Sequence, residues 1–125
     1  MHKRNKEGRK IYGMELILEL FKCDIKTISS KSKIKEFIQE ASKKVKLKTY
    51  GPSRIKRFMG GGLFGMGYSF LQFLSVSSMT GHFIENDSTA FLNIFSCSIF
   101  DSKKLAKYAK SFFKAKKMKV KLIIH

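Results

Sequence analysis

Between residues 69 and 97 the sequence gathers Ser69, Ser77, His82 and Cys97: two hydroxyls, an imidazole and a thiol. A serine becomes a nucleophile once its proton is taken, and a histidine titrates near neutrality, where it serves as acid or base. His82 is the only histidine away from the chain ends, the others being His2 and His125. A Ser and a His five apart are common by chance; the whole set, spread over two apolar stretches, is what points to chemistry. Other motifs say less. Residues 60–65 spell G-x-G-x-x-G, but a dinucleotide site needs a strand before that motif and a helix after it. No Gly-Lys-Ser/Thr follows for a phosphate loop either, and the stretch reads as a flexible loop. Cys23 and Cys97 lie 74 positions apart and the histidines are scattered, so no metal site is expected.

The set needs strands to hold it. Met14–Phe21 (MELILELF) alternates Glu15 and Glu19 with apolar neighbours and suits a strand with one wet face. A polar turn over 24–32 leads to a helix over 32–45, with Ile34, Phe37, Ile38 and Ala41 at helical spacing. A short strand at 47–50 ends at Gly51-Pro52, followed by a basic loop (Arg54, Lys56, Arg57) and the glycines. Residues 68–76 and 89–97 read as two buried strands. Asp101-Ser102 caps a second helix to about 115, with Leu105, Tyr108, Ala109, Phe112 and Phe113 inward. Residues 119–124 close the chain as a strand. The order β-α-β-β-β-α-β suggests an α+β two-layer sandwich, an antiparallel-rich sheet with two helices on one face.

Composition sets the frame. The chain has 125 residues, 43% hydrophobic, with 12 Phe, enough for one core without disulfide or metal. A basic, disordered tail (1–12) precedes a single domain (13–125). Residues 58–81 carry no charge, yet their many glycines and serines suit a buried strand and loop, not a membrane span. The protein is therefore expected to be soluble and cytoplasmic, with its two cysteines as thiols in a reducing compartment. Lys plus Arg is 26 against 9 acids, a net +17. Nine lysines between 103 and 121 form a face able to bind phosphates. A solvated face is the simpler reading: arginine, which reads bases, occurs only at Arg4, Arg9, Arg54 and Arg57, and no nucleic-acid partner is expected.

With these residues in view, the sequence resembles the S-adenosylmethionine decarboxylase proenzymes of the short prokaryotic type. That family has a cleavage serine at the end of a strand, with a serine eight before, a histidine five after and a cysteine twenty after. Here Ser77, Ser69, His82 and Cys97 stand in that register, with Cys97 in a Phe-Ser-Cys-Ser setting. The opening strand resembles the family's as well, and ends in the Cys23-Asp24 pair. The likeness covers residues 13–124.

The resemblance implies a self-cleaving enzyme that decarboxylates S-adenosylmethionine and supplies the aminopropyl donor for spermidine synthesis. Its cofactor would be a covalent pyruvoyl group made from Ser77 by cleavage after Val76, able to form a Schiff base with the substrate amine. His82 would act as acid and base in processing. Ser69 would hold the scissile carbonyl, and Cys97 would return a proton to the substrate carbon. Cleaved protomers would form a homodimer with sites near the interface. Several positions depart from the family. Val76 and Ser78 replace its Glu and His beside the cleavage serine, and Glu15 replaces an early His. In its adenosine pocket the register puts Leu63, Ile84 and Asn86, while Phe64, Phe83 and Glu85 stand one position off. These departures keep two alternatives open: the same chemistry on ornithine or arginine, or an unprocessed homologue with a basic ligand- or polyanion-binding face.

Overall fold

A computed structural model describes residues 4, 7–60 and 65–125. Six antiparallel strands form one sheet: β1 (Met14–Phe21), β2 (Thr49–Met59), β3 (Met66–Leu74), β4 (Ser77–Ile84), β5 (Thr89–Ser96) and β6 (Lys117–Ile124), in the spatial order β2-β3-β4-β5-β1-β6. The helices are α1 (Ile25–Ile28), α2 (Lys31–Lys44) and α3 (Ser102–Phe112). The α+β class holds, with α2 and α3 on one face. Period-two burial explains the layering. Met14, Leu16, Leu18 and Leu20 of β1 are buried, while Glu15, Ile17, Glu19 and Phe21 turn to the other, open face. Helical spacing does the same for α2, which buries Ile34, Phe37, Ile38 and Ala41, and whose Ser30 cap accepts from Lys33 N–H. In α3, Asp101 accepts from Lys104 N–H. Phe37 meets Phe113 at 4.7 Å between ring centres, and Phe113 meets Phe83 of β4 at 5.2 Å, tying both helices to the sheet.

The sheet holds one strand more than expected. β4 (SSMTGHFI) is rich in small polar residues and lacks the β-branched density that marks a strand, yet it buries Met79, Gly81 and Phe83 in alternation. Gly81 lies opposite Phe70, and a side chain there would overlap the Phe70 ring. The expected end of a strand at Gly51-Pro52 and the basic loop beyond it are both corrected: β2 runs through them. It is an edge strand, where a proline's missing N–H costs no ladder bond, and its pairing with β3 shifts between Tyr50 and Arg54. The polar turn at 24–32 contains the single turn α1. The uncharged 58–81 stretch covers the end of β2, all of β3 and the start of β4, and Leu71 and Phe73 stand exposed instead of buried. Of the tail, residues 1–3, 5 and 6 lie outside the described residues, while Arg4 and Lys10 form an isolated bridge.

Buried Gln72 of β3 holds the shifted part of β2. Its amide donates to the carbonyls of Tyr50 (3.2 Å), Gly51 (3.2 Å) and Phe73 (2.9 Å) and accepts from the Ser53 hydroxyl. Gln72→Leu leaves those carbonyls without their donor and should cost about 1–3 kcal/mol, read as a lower denaturant midpoint at unchanged slope.

Candidate active site

Ser77 opens β4 directly after the turn that joins it to β3. Val76, in that turn, has φ 46°, a left-handed conformation that a β-branched residue rarely adopts. Such a backbone holds on the order of 1–3 kcal/mol of strain beside the Val76–Ser77 peptide bond. The Val76 carbonyl accepts from the Cys97 backbone N–H at 3.0 Å. The Ser77 hydroxyl donates to the Ser75 carbonyl at 2.8 Å and lies 2.6 Å from Ser96 Oγ. A hydroxyl is thus fixed beside a carbonyl that a backbone donor already polarises. The Cys97 side chain is exposed at the same end of the sheet.

Ser69 and His82 form a second centre. They face each other across β3 and β4 on the open side, with Ser69 Oγ 2.8 Å from His82 Nδ1. Lys56 lies opposite Ser69 on β2 and Phe91 opposite His82 on β5. A depression of about 780 Å³ opens over them, its lining including Arg54, Phe58 and Leu71. One chain does not bring the two centres together. Five strand residues separate His82 from Ser77, about 17 Å at roughly 3.4 Å each. Alternation also turns the two side chains to opposite sides of the sheet. A tight hairpin pairs Ser77 with Leu74, and Ser69 with His82.

The S-adenosylmethionine decarboxylase family model matches residues 14–124, nearly the whole chain. The chain belongs to the S-adenosylmethionine decarboxylase family. Its fold is similar to the crystal structure of the adenosylmethionine decarboxylase from Aquifex aeolicus, with a TM-score of 0.76 at 17% identity, covering 91% of this chain and 90% of that one. No curated protein matches it in sequence.

Against that family's pocket, the candidate binding residues scatter. Leu63 and Phe64 lie outside the described residues. Phe83 is buried on the helix side, between Phe70 and Phe113. Ile84, half-buried, ends β4 on the open side. The Glu85 carboxylate is bound twice by Arg57, at 2.6 and 2.9 Å, and Arg57 in turn lies over the Tyr68 ring. Asn86 is exposed, its amide against Gly65. Glu85 is therefore already engaged, through a bidentate pair stronger than a surface contact. Among the described residues no cluster of three or more His, Cys, Asp or Glu could hold a metal ion. No helix among them is long and apolar enough to cross a membrane.

Sequence reasoning missed the surroundings of Glu15. On the open face its carboxylate accepts from Asn93 Nδ2 at 2.7 Å and lies 2.9 Å from His125 Nε2. The Asn93 bond first, then His125, hold the carboxyl below its ordinary 4.5. A depressed carboxyl stabilises the fold above that ordinary value and stops doing so as pH falls through the folded one. The stability difference between the natural chain and Glu15→Gln should therefore shrink as pH falls below 4.5, in denaturant midpoints taken from mildly to strongly acid pH. Of the two thiols, burial pushes Cys23 up to about 11, too high for thiolate chemistry at neutral pH.

Proposed function

We propose that this chain is a proenzyme that cuts itself between Val76 and Ser77 and then decarboxylates S-adenosylmethionine. The observation that carries the reading is the Ser77 hydroxyl beside a strained Val76 whose carbonyl is held by Cys97 N–H. Ser77 Oγ attacks the Val76 carbonyl carbon, and the Cys97 amide supports the charge that develops on its oxygen. The C–N bond breaks, leaving an ester in place of the peptide bond and a free Ser77 amine. Loss of the Ser77 α-proton expels the Val76 carboxylate and leaves dehydroalanine. Its tautomer takes up water and releases ammonia, leaving a pyruvoyl group at position 77. That ketone supplies the electron sink which decarboxylation of an amino acid needs and which side chains lack. Cys97, exposed at the same end, then returns a proton to the substrate carbon.

Processing also calls on Ser69 and His82, which a single chain keeps about 17 Å away. A second copy resolves this. The open face exposes Leu71 and Phe73 of β3, at 57% and 74%, apolar side chains suited to an isologous partner. A two-fold axis running across the strands near residues 79–80 exchanges the upper and lower ends of β4. It brings the β3–β4 turn of one copy, with its Val76–Ser77 bond, over the Ser69–His82 end of the other. Ornithine and arginine remain the second reading of the substrate, favoured by Ile84 and Asn86 at the adenosine positions and by Glu85, one position off, being engaged by Arg57.

The deciding experiment is a denaturing intact-mass spectrum of purified protein, followed by assay of carbon dioxide release. Fragments 1–76 and 77–125, the second lighter by one ammonia than a serine terminus, establish processing. Release from S-adenosylmethionine then fixes the leading substrate, while putrescine or agmatine as product selects the second reading. A single uncut chain after long incubation overturns the proposal.

A further inference from the structure

The depression over Ser69 and His82 is charged with one sign only. Lys31 of α2 and Arg54 and Lys56 of β2 line it, beside the apolar Phe58 and Leu71, and no acidic residue does. All three cations are exposed, and none makes an ion pair with a described residue. Lys56 rests over the Phe58 ring at 5.4 Å, and Arg54 has no such contact. Arg57 gives the contrast. Alternation turns it to the other face, where Glu85 matches its charge at 2.6 Å. Arg54 and Lys56 share the open face two positions apart, about 7 Å along the strand, and repel each other. Register sets Lys56 opposite Ser69, and Ser69 opposite His82. The unmatched charge therefore borders the pair that processing calls on.

A cleft walled by one sign of charge concentrates the opposite sign. Its apolar neighbours suit a ligand with an anionic group on an uncharged body. An amino-acid substrate brings such a group in its α-carboxylate. In the paired arrangement proposed above, the partner's β3–β4 turn lies over this depression. A substrate whose amine meets the ketone at position 77 then carries its carboxylate one carbon away, above the cationic wall. We propose that Arg54 and Lys56 bind the α-carboxylate of the substrate, Arg54 through its planar fork and Lys56 as a point charge. This role presupposes that the chain decarboxylates an amino acid. It is common to S-adenosylmethionine, ornithine and arginine, which all carry that group. The carboxylate leaves as neutral carbon dioxide, so the two cations hold the ground state more than the transition state.

The test is calorimetric titration of the full-length Ser77→Ala chain, which neither cuts nor turns over. The probes are two acid–amine pairs: S-adenosylmethionine with its decarboxylated amine, and arginine with agmatine. Adding Arg54→Gln and Lys56→Gln should weaken the acid that binds by about 10–100-fold and leave its amine unchanged, which also shows the fold intact. The control pair Lys117→Gln and Lys121→Gln removes the same charge from the far edge strand β6 and should change neither probe. With Ser77 present, the Arg54→Gln, Lys56→Gln enzyme should show KM raised by a similar factor at unchanged kcat. Equal losses for acid and amine, or an equal loss in the control pair, would overturn the proposal. So would a fall in kcat at constant KM, inorganic phosphate competing as strongly as the acid, or failure of both acids to bind. A natural chain that stays whole fails by its intact mass, which overturns the decarboxylase reading separately, while the titration still reads the carboxylate contacts.

Discussion

Ser77→Ala will remain one uncut chain under conditions in which the natural protein gives two fragments. The expectation follows from the chemistry at the β3–β4 turn. Strain at Val76 and the Cys97 N–H both act on the Val76 carbonyl, and neither can break an amide without a nucleophile in place. Alanine removes that nucleophile and leaves the turn and its donor untouched. The structural loss is small: the Ser75 carbonyl and the Ser96 hydroxyl each lose one contact, about 1 kcal/mol apiece. Unchanged far-ultraviolet circular dichroism and a similar melting point would separate lost chemistry from lost fold. The variant should also lack carbonyl reactivity toward hydrazines and release no carbon dioxide from any amino acid. Continued cleavage of Ser77→Ala would move the site elsewhere in the chain.

The elements best read from sequence are those whose burial follows a simple period. β1 alternates Leu16, Leu18 and Leu20 with charged neighbours, and α2 and α3 carry both a helical stripe and a capping Ser30 or Asp101. β4 escaped notice because Ser77, Ser78 and Gly81 give it neither bulk nor β-branching, and its partners β3 and β5 supply the order instead. β2 escaped because Gly51-Pro52 has the composition of a terminator. Only the tertiary structure shows that the pair lies on a sheet edge, with Gln72 holding the irregular carbonyls. In the candidate site, residue types and intervals were legible, but intervals along a chain do not say which residues a hairpin folds together. Ser69 and Ser77 are eight apart, and the turn at Ser75–Val76 sends them to different ends of the same strand pair. The Glu15–Asn93–His125 group joins strands 78 and 110 positions apart, and no local spacing announces it.

That separation leads to the other large effect, restoration of cleavage by mixing two inactive chains. His82→Ala removes the acid–base group paired with Ser69 and should slow self-cleavage about 10²–10⁴-fold. Ser77→Ala removes the nucleophile. In a mixed pair related by the axis near residues 79–80, the His82→Ala chain keeps its own Ser77 and meets an intact Ser69–His82 from its partner. Random pairing of equal amounts places about half of the His82→Ala chains in such mixed pairs. About half of that chain should therefore be cut after co-refolding, while the Ser77→Ala chain stays whole; distinct mass tags read the two separately. Phe73→Asp, placed on the exposed patch of the open face, should weaken pairing and abolish the rescue. If His82→Ala cuts alone at the natural rate, the imidazole has no part in processing. If neither chain is cut in the mixture while both still pair, each chain uses its own Ser69 and His82. The sheet would then have to bend by more than a hairpin allows, since about 17 Å of strand lies between them.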